Sequence, residues 1–150
     1  VTCWLFPISP VFFFGEPEPA RPEVPEPAPA PPKPEPPSFT MRVCEKCVSL
    51  GVNGGFNAAP TLREMAEGAA AAGWPAPAVE YGPCQGGCDL GPCLRLSSGK
   101  YKVPVVVAGM EEDEAAYRSF ILVKSPADAQ RAYGLAARHM KEALEEHEGE

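Results

Sequence analysis

The chain has no cluster of lysine and arginine. Thirteen basic residues face twenty acidic ones among 150, for a formal net charge of −7. A nucleic-acid binder would normally carry a basic stripe, so no nucleic-acid partner is expected. There is also no apolar run long enough to span a bilayer as a helix, which takes about 20 residues. The apolar residues 1–15 are broken by Pro7 and Pro10, and no membrane partner is expected. The same stretch lacks the charged start and small-residue cleavage site of a signal peptide. It reads as the end of a fragment or a mispredicted exon rather than a shortened targeting or anchoring segment. A phosphate-binding glycine loop, a nucleophile–base constellation and a carboxylate pair are all missing. The chain is therefore not expected to be an enzyme.

What is present falls into two parts. Between Pro7 and Pro37 lie 13 of the 20 prolines, mixed with Glu16, Glu18, Glu23, Glu26 and Glu35. Proline donates no backbone hydrogen bond, and repeated Pro-Glu and Pro-Ala steps favour extended polyproline II. Such a segment buries too little apolar surface to fold. Residues 1–37 are expected to be a disordered, semi-rigid Pro/Glu-rich segment, of which residues 16–37 are too acidic for a transit peptide. Residues 38–150 are expected to be one domain, long enough for a core without disulfide support.

Within that domain, Phe39 to Val43 alternates as a half-buried strand does and delivers Cys44 at its end. Val48 to Pro60 reads as a loop. A helix follows from Pro60, with Thr61 and Glu64 as a capping box, Leu62, Met65, Ala66, Ala69 and Ala72 as its apolar face, and Gly73 as its stop. Trp74 is expected to anchor it. Pro77 to Tyr81 forms a strand. Cys93–Leu96 and Tyr101–Val107 form a hairpin turning at Ser97, Ser98 and Gly99, with Pro104 on an edge or at a bulge. Residues 109–118 form a loop or short helical turn. A terminal helix opens with Ser125 as cap, Pro126 at its first position and Asp128 near its positive end. Its apolar face is Ala129, Ala132, Tyr133, Ala136, Met140 and Leu144, and it frays from Glu145. This order implies an α/β sandwich with a small mixed sheet and two main helices, close to the thioredoxin arrangement.

The cysteines carry the chemistry. Cys44-Glu45-Lys46-Cys47 is one pair. The other is Cys84-Gln85-Gly86-Gly87-Cys88-Asp89-Leu90-Gly91-Pro92, separated from Cys47 by 36 intervening residues and dense in glycine. Four explanations compete. Buried thiols can fill a core, but a glycine-rich loop has nothing apolar to fill. Disulfides would staple a domain that has no need of them. Thiol–disulfide chemistry at Cys44 and Cys47 would want a helix behind the pair, and Val48 to Gly55 is a poor helix. A four-thiolate site remains, holding zinc or an iron–sulfur cluster. Zinc suits two tight knuckles, whereas the second pair here is Cys-x-x-x-Cys in a longer loop. A negatively charged cluster explains the glycines better, because close backbone N–H groups stabilise its sulfurs.

Cys84 to Pro92 resembles the C-x-G-x-C-x-x-G-P loop of thioredoxin-like 2Fe–2S ferredoxins, and is similar to the small 2Fe–2S subunit of NADH dehydrogenases. The likeness covers roughly residues 40–145. It implies a thioredoxin-like fold, a 2Fe–2S cluster, transfer of single electrons to and from redox partner proteins (a reductase or an acceptor), and a possible homodimer. By position, Cys44, Cys47, Cys84 and Cys88 match the ligands. The first pair is more closely spaced than is usual in the family, and Cys93 follows Pro92 as a spare thiol or substitute ligand. Cys3 lies outside the domain. A Rieske-type site would need two histidines beside the cluster, and His139 and His147 lie far from both cysteine pairs in sequence. A mildly acidic domain suits a carrier that docks on basic reductases. The alternative is a zinc-bound or metal-free thioredoxin-like interaction module.

Overall fold

A computed structural model describes residues 10–12, 14–23, 25–84, 86 and 88–150, with Cys88 described in its backbone alone. The chain divides into two units, Val1–Lys33 and Pro34–Glu150. In the first unit the described residues form no helix or strand and are exposed. Cys3 lies outside the described residues.

In the second unit, β1 (Phe39–Cys44) leads into α1 (Glu45–Ser49), and a 3₁₀ turn at Val52–Gly54 precedes α2 (Ala59–Ala71). There follow β2 (Ala78–Gly82), a 3₁₀ turn at Cys88–Leu90, β3 (Leu94–Ser98), β4 (Val103–Pro104), α3 (Glu112–Tyr117) and α4 (Pro126–Glu148). The sheet order is β2-β1-β3-β4. β1 and β2 are parallel, while β1–β3 and β3–β4 are antiparallel. A small mixed four-stranded sheet of this order, with α2 linking the parallel pair, is the α/β arrangement expected. β4 is an edge strand, so Pro104 removes no donor from the interior of the sheet.

Side-chain alternation splits the sheet into two faces. Met41, Val43, Leu94 and Leu96 point one way and are at most 1% exposed. They share one core with Leu62 and Ala66 of α2, Ala129, Ala132, Tyr133 and Ala136 of α4, and Phe120. Phe120 also pairs with Leu94 through two backbone hydrogen bonds, of 2.9 and 2.7 Å, which extends the sheet edge past β3. Fully burying each large apolar side chain contributes roughly 1.5–3 kcal/mol.

Helix ends follow their local chemistry, not always as expected. Ser125 caps α4: its Oγ accepts from the Asp128 amide at 3.3 Å, and Asp128 Oδ2 accepts from the Lys124 amide at 3.0 Å. The helix continues to Glu148 rather than fraying at Glu145. α2 starts earlier than expected, at Ala59, and forms no Thr61–Glu64 box. Pro60 already occupies its first turn, so Thr61 is inside the helix, and Asn57 Oδ1 takes the Ala59 amide instead at 3.0 Å. Gly73 ends it at φ +78°, where a side chain would be strained. Trp74 is 57% exposed, and Lys141 Nζ sits 5.6 Å from its ring centroid. It lies over the surface rather than anchoring the core. Acidic residues 111–114 form a capping box, in which Glu111 and Glu114 each accept the other's backbone amide and start α3.

Candidate thiol centre

β1 carries Cys44 to the end of the sheet, where its amide bonds the Cys93 carbonyl at 3.1 Å. Cys44 is the N-cap of α1, and Cys47 is one turn in. The five-residue α1 replaces part of the loop expected after Cys47. It is too short to sustain itself, and Gly51 stops the chain at φ +65°. Cys44 and Cys47 are each 1% exposed and Cys93 is 3% exposed. The three form a second buried cluster, separate from the main core, with Val52 and Ile121 packed on it. Thus three thiols from the β1 end, α1 and the approach to β3 converge in an apolar pocket. No disulfide joins any of the described cysteines.

The loop from Cys84 reaches the same end of the sheet. Cys84 is exposed, and lines one shallow depression with Glu45, Lys46 and Ser49 of α1 and a second with Arg42 and Arg95. Gln85 and Gly87 lie outside the described residues, as does the Cys88 side chain. Gly91 closes the loop over Cys47: a Cβ there would stand 2.6 Å from Cys47 Sγ, so only glycine allows this approach. The Gly91–Pro92 bond is cis. Asn53 Nδ2 donates to Gly91 O at 2.7 Å and to Asp89 O at 3.3 Å. The Leu122 and Val123 amides donate to Leu90 O at 2.7 Å and Pro92 O at 3.0 Å. Among the described residues no three His, Cys, Asp or Glu groups are arranged around a single metal ion.

Charged residues flank the thiols on the second sheet face. Arg42 pairs with Arg95 across β1 and β3 and with Glu80 across β1 and β2. Glu80 Oε1 accepts from Lys102 Nζ at 2.5 Å and from Arg42 Nε at 3.0 Å. The Lys102 bond holds the Glu80 carboxyl below its ordinary range against the opposing effect of burial, and Arg42 adds to it. Arg95 is fixed by Ser119 Oγ at 3.0 Å and by the carbonyls of Tyr117 at 3.2 Å and Arg118 at 3.3 Å. Burial draws its guanidinium below the ordinary value; the Cys93 and Cys44 thiols act the other way.

The sequence expected Cys44 and Cys47 to lie together, and they do. It treated Cys93 as a spare thiol or substitute ligand, and Cys93 lies in the same buried cluster. The histidines stay apart from the thiols: His139 packs edge-on against Phe39, with centroids 5.9 Å apart, and His147 is in the last turn of α4. Asn53, Arg42 and Arg95 went unnoticed in the sequence. Alternation could have flagged the two arginines, since each lies two residues from a cysteine, on the same face. No helix among the described residues is long and apolar enough to cross a membrane. No family model, no curated protein and no solved structure matches the chain.

Proposed function

We propose that this protein is a one-electron carrier in which Cys44, Cys47, Cys84 and Cys88 hold a 2Fe–2S cluster. The observation that supports this most is the convergence of buried thiols at one sheet end, beside a glycine-rich loop bearing two more. The donor set fits in kind. The four ligands, and the neighbouring Cys93, are all soft thiols, and a 2Fe–2S cluster asks for two pairs, one per iron, rather than three donors around one ion. When bound, the cluster supplies reversible one-electron redox chemistry. The chain's part is to present the thiols, keep water from Cys44 and Cys47 with Val52 and Ile121, and hold the loop with Asn53. No bond-making catalysis belongs to this reading. The partners are redox proteins, a reductase and an acceptor, and the carrier could act as a homodimer.

Thiol–disulfide exchange with a protein substrate is disfavoured by burial. An attacking thiolate must be accessible, and Cys44 and Cys47 are each 1% exposed. The test is protein purified without oxygen. Visible absorption with two irons and two sulfides per chain is expected; a colourless protein with stoichiometric zinc would overturn the proposal in favour of a zinc-bound module. Cys84→Ser and Cys88→Ser should each lose or shift the spectrum, because oxygen is a harder donor than thiolate, while Cys3→Ser should not. A side-by-side comparison of Cys47→Ser and Cys93→Ser identifies the fourth ligand. We expect damage in the first. A normal cluster there, with a damaged one in Cys93→Ser, would hand the role to Cys93.

A further inference from the structure

The second face of the sheet is built in rows. Gly82, Cys44 and Cys93 lie across β2, β1 and the approach to β3; one row back lie Glu80, Arg42 and Arg95. Rows on one face are two residues apart, about 7 Å along a strand. Two arginines are thus cross-strand partners one row behind Cys44 and Cys93. Like charges across a strand pair are destabilising, so this arrangement works against the stability of the sheet. Glu80 and Lys102 complete a fixed network around Arg42, and Ser119, Tyr117 and Arg118 fix Arg95. Neither cation is a loose surface side chain.

We infer that Arg95, with Arg42 beside it, sets the electron affinity of the thiol centre by offsetting its negative charge. This rests on the 2Fe–2S reading above. Uptake of one electron from an external reductant adds one negative charge and alters no bond, so a fixed cation one row away favours the reduced form. Net charge at the centre is among the factors that set such potentials. Arg95 is a positioning and tuning residue; it need not contact the irons or sulfides.

The test uses the full chain, loaded with cluster, and titrates the visible spectrum with dithionite against redox mediators. Arg95→Gln should keep the wild-type spectrum and lower the midpoint potential. We expect about a tenfold change in the ratio of reduced to oxidised protein at fixed poise, about 59 mV for one electron. Arg95→Lys keeps the charge and should stay close to wild type. Arg138→Gln, which removes the same charge from α4 beside Trp74, should not move the potential. An unshifted Arg95→Gln with a normal spectrum overturns the inference, as does an equal shift in Arg138→Gln. If Arg95→Gln fails to take up the cluster, Arg42→Gln decides: a lowered potential supports the inference and an unchanged one overturns it. A wild-type protein that takes up no cluster defeats the functional reading itself. A coloured wild type with unshifted variants defeats only the inference.

Discussion

Along β1 and β3, neighbouring residues have opposite surroundings. Met41 and Val43 go into the helix-covered core, while Arg42 and Cys44 go to the face that carries the charged row and the thiols. Leu94 and Leu96 are core; Cys93 and Arg95 are not. One face is held by apolar area and close packing, the other by fixed charges and buried sulfur. Because the two are interleaved at single-residue spacing, stability and chemistry can be altered separately on the same strand.

Leu94→Ala should show the largest effect on folding. Leu94 is fully buried between β1 and Phe120, and such truncations cost about 2–5 kcal/mol. A fall in urea midpoint at constant slope is expected. A loss as small as that of a surface substitution would break the division between faces. Gly91→Ala should come next, at about 1–3 kcal/mol, because the added methyl meets Cys47 Sγ. Combining it with Cys47→Ala should restore part of the loss. Strict additivity in that double-mutant cycle would show that the contact is not the cause.

Glu114 sharpens the comparison, since it is a charge on the buried side. Its side chain is 2% exposed and bonds Arg131 at 2.8 Å. Burial pushes its carboxyl up, but Arg131 and the Glu111 and Ile121 amides outweigh that and hold it below its ordinary value of 4.5. Its stabilisation is therefore complete above that value and is lost as pH falls through the lowered one. Glu114→Gln should cost roughly 1–3 kcal/mol at neutral pH. The gap from wild type should narrow in acid, measured by thermal melts across pH. Parallel curves would refute the assignment. The smallest effect is expected from deleting residues 1–33, which should leave Tm and cluster content unchanged. A clear drop in Tm would show that the segment contributes to the folded unit.

Much of the fold was legible because period and capping act locally. The Phe39–Cys44 alternation and the Ser125-Pro126-Ala127-Asp128 start needed no tertiary knowledge. α1 was not legible, since five residues give too little pattern and its formation depends on what packs over Cys47. Asn57 displaced Thr61 as the group that meets the start of α2, because the helix begins before its proline. Trp74 reads as a core residue by type, and only the packing of α2 against α4 leaves it outside. At the site, the glycine-dense loop and paired cysteines were visible in the sequence. The burial of Cys93 and the nearness of Arg95 depend on β3 lying beside β1, a pairing across some fifty residues.

The bonds from the Leu122 and Val123 amides to Leu90 and Pro92 tie the cysteine loop to a segment far along the chain. Each of those amides can exchange with solvent deuterium only when its bond to the loop opens. Their exchange rates therefore act as two built-in clocks for loop opening, read from residues that carry no sulfur. Whatever closes the loop more firmly must slow both.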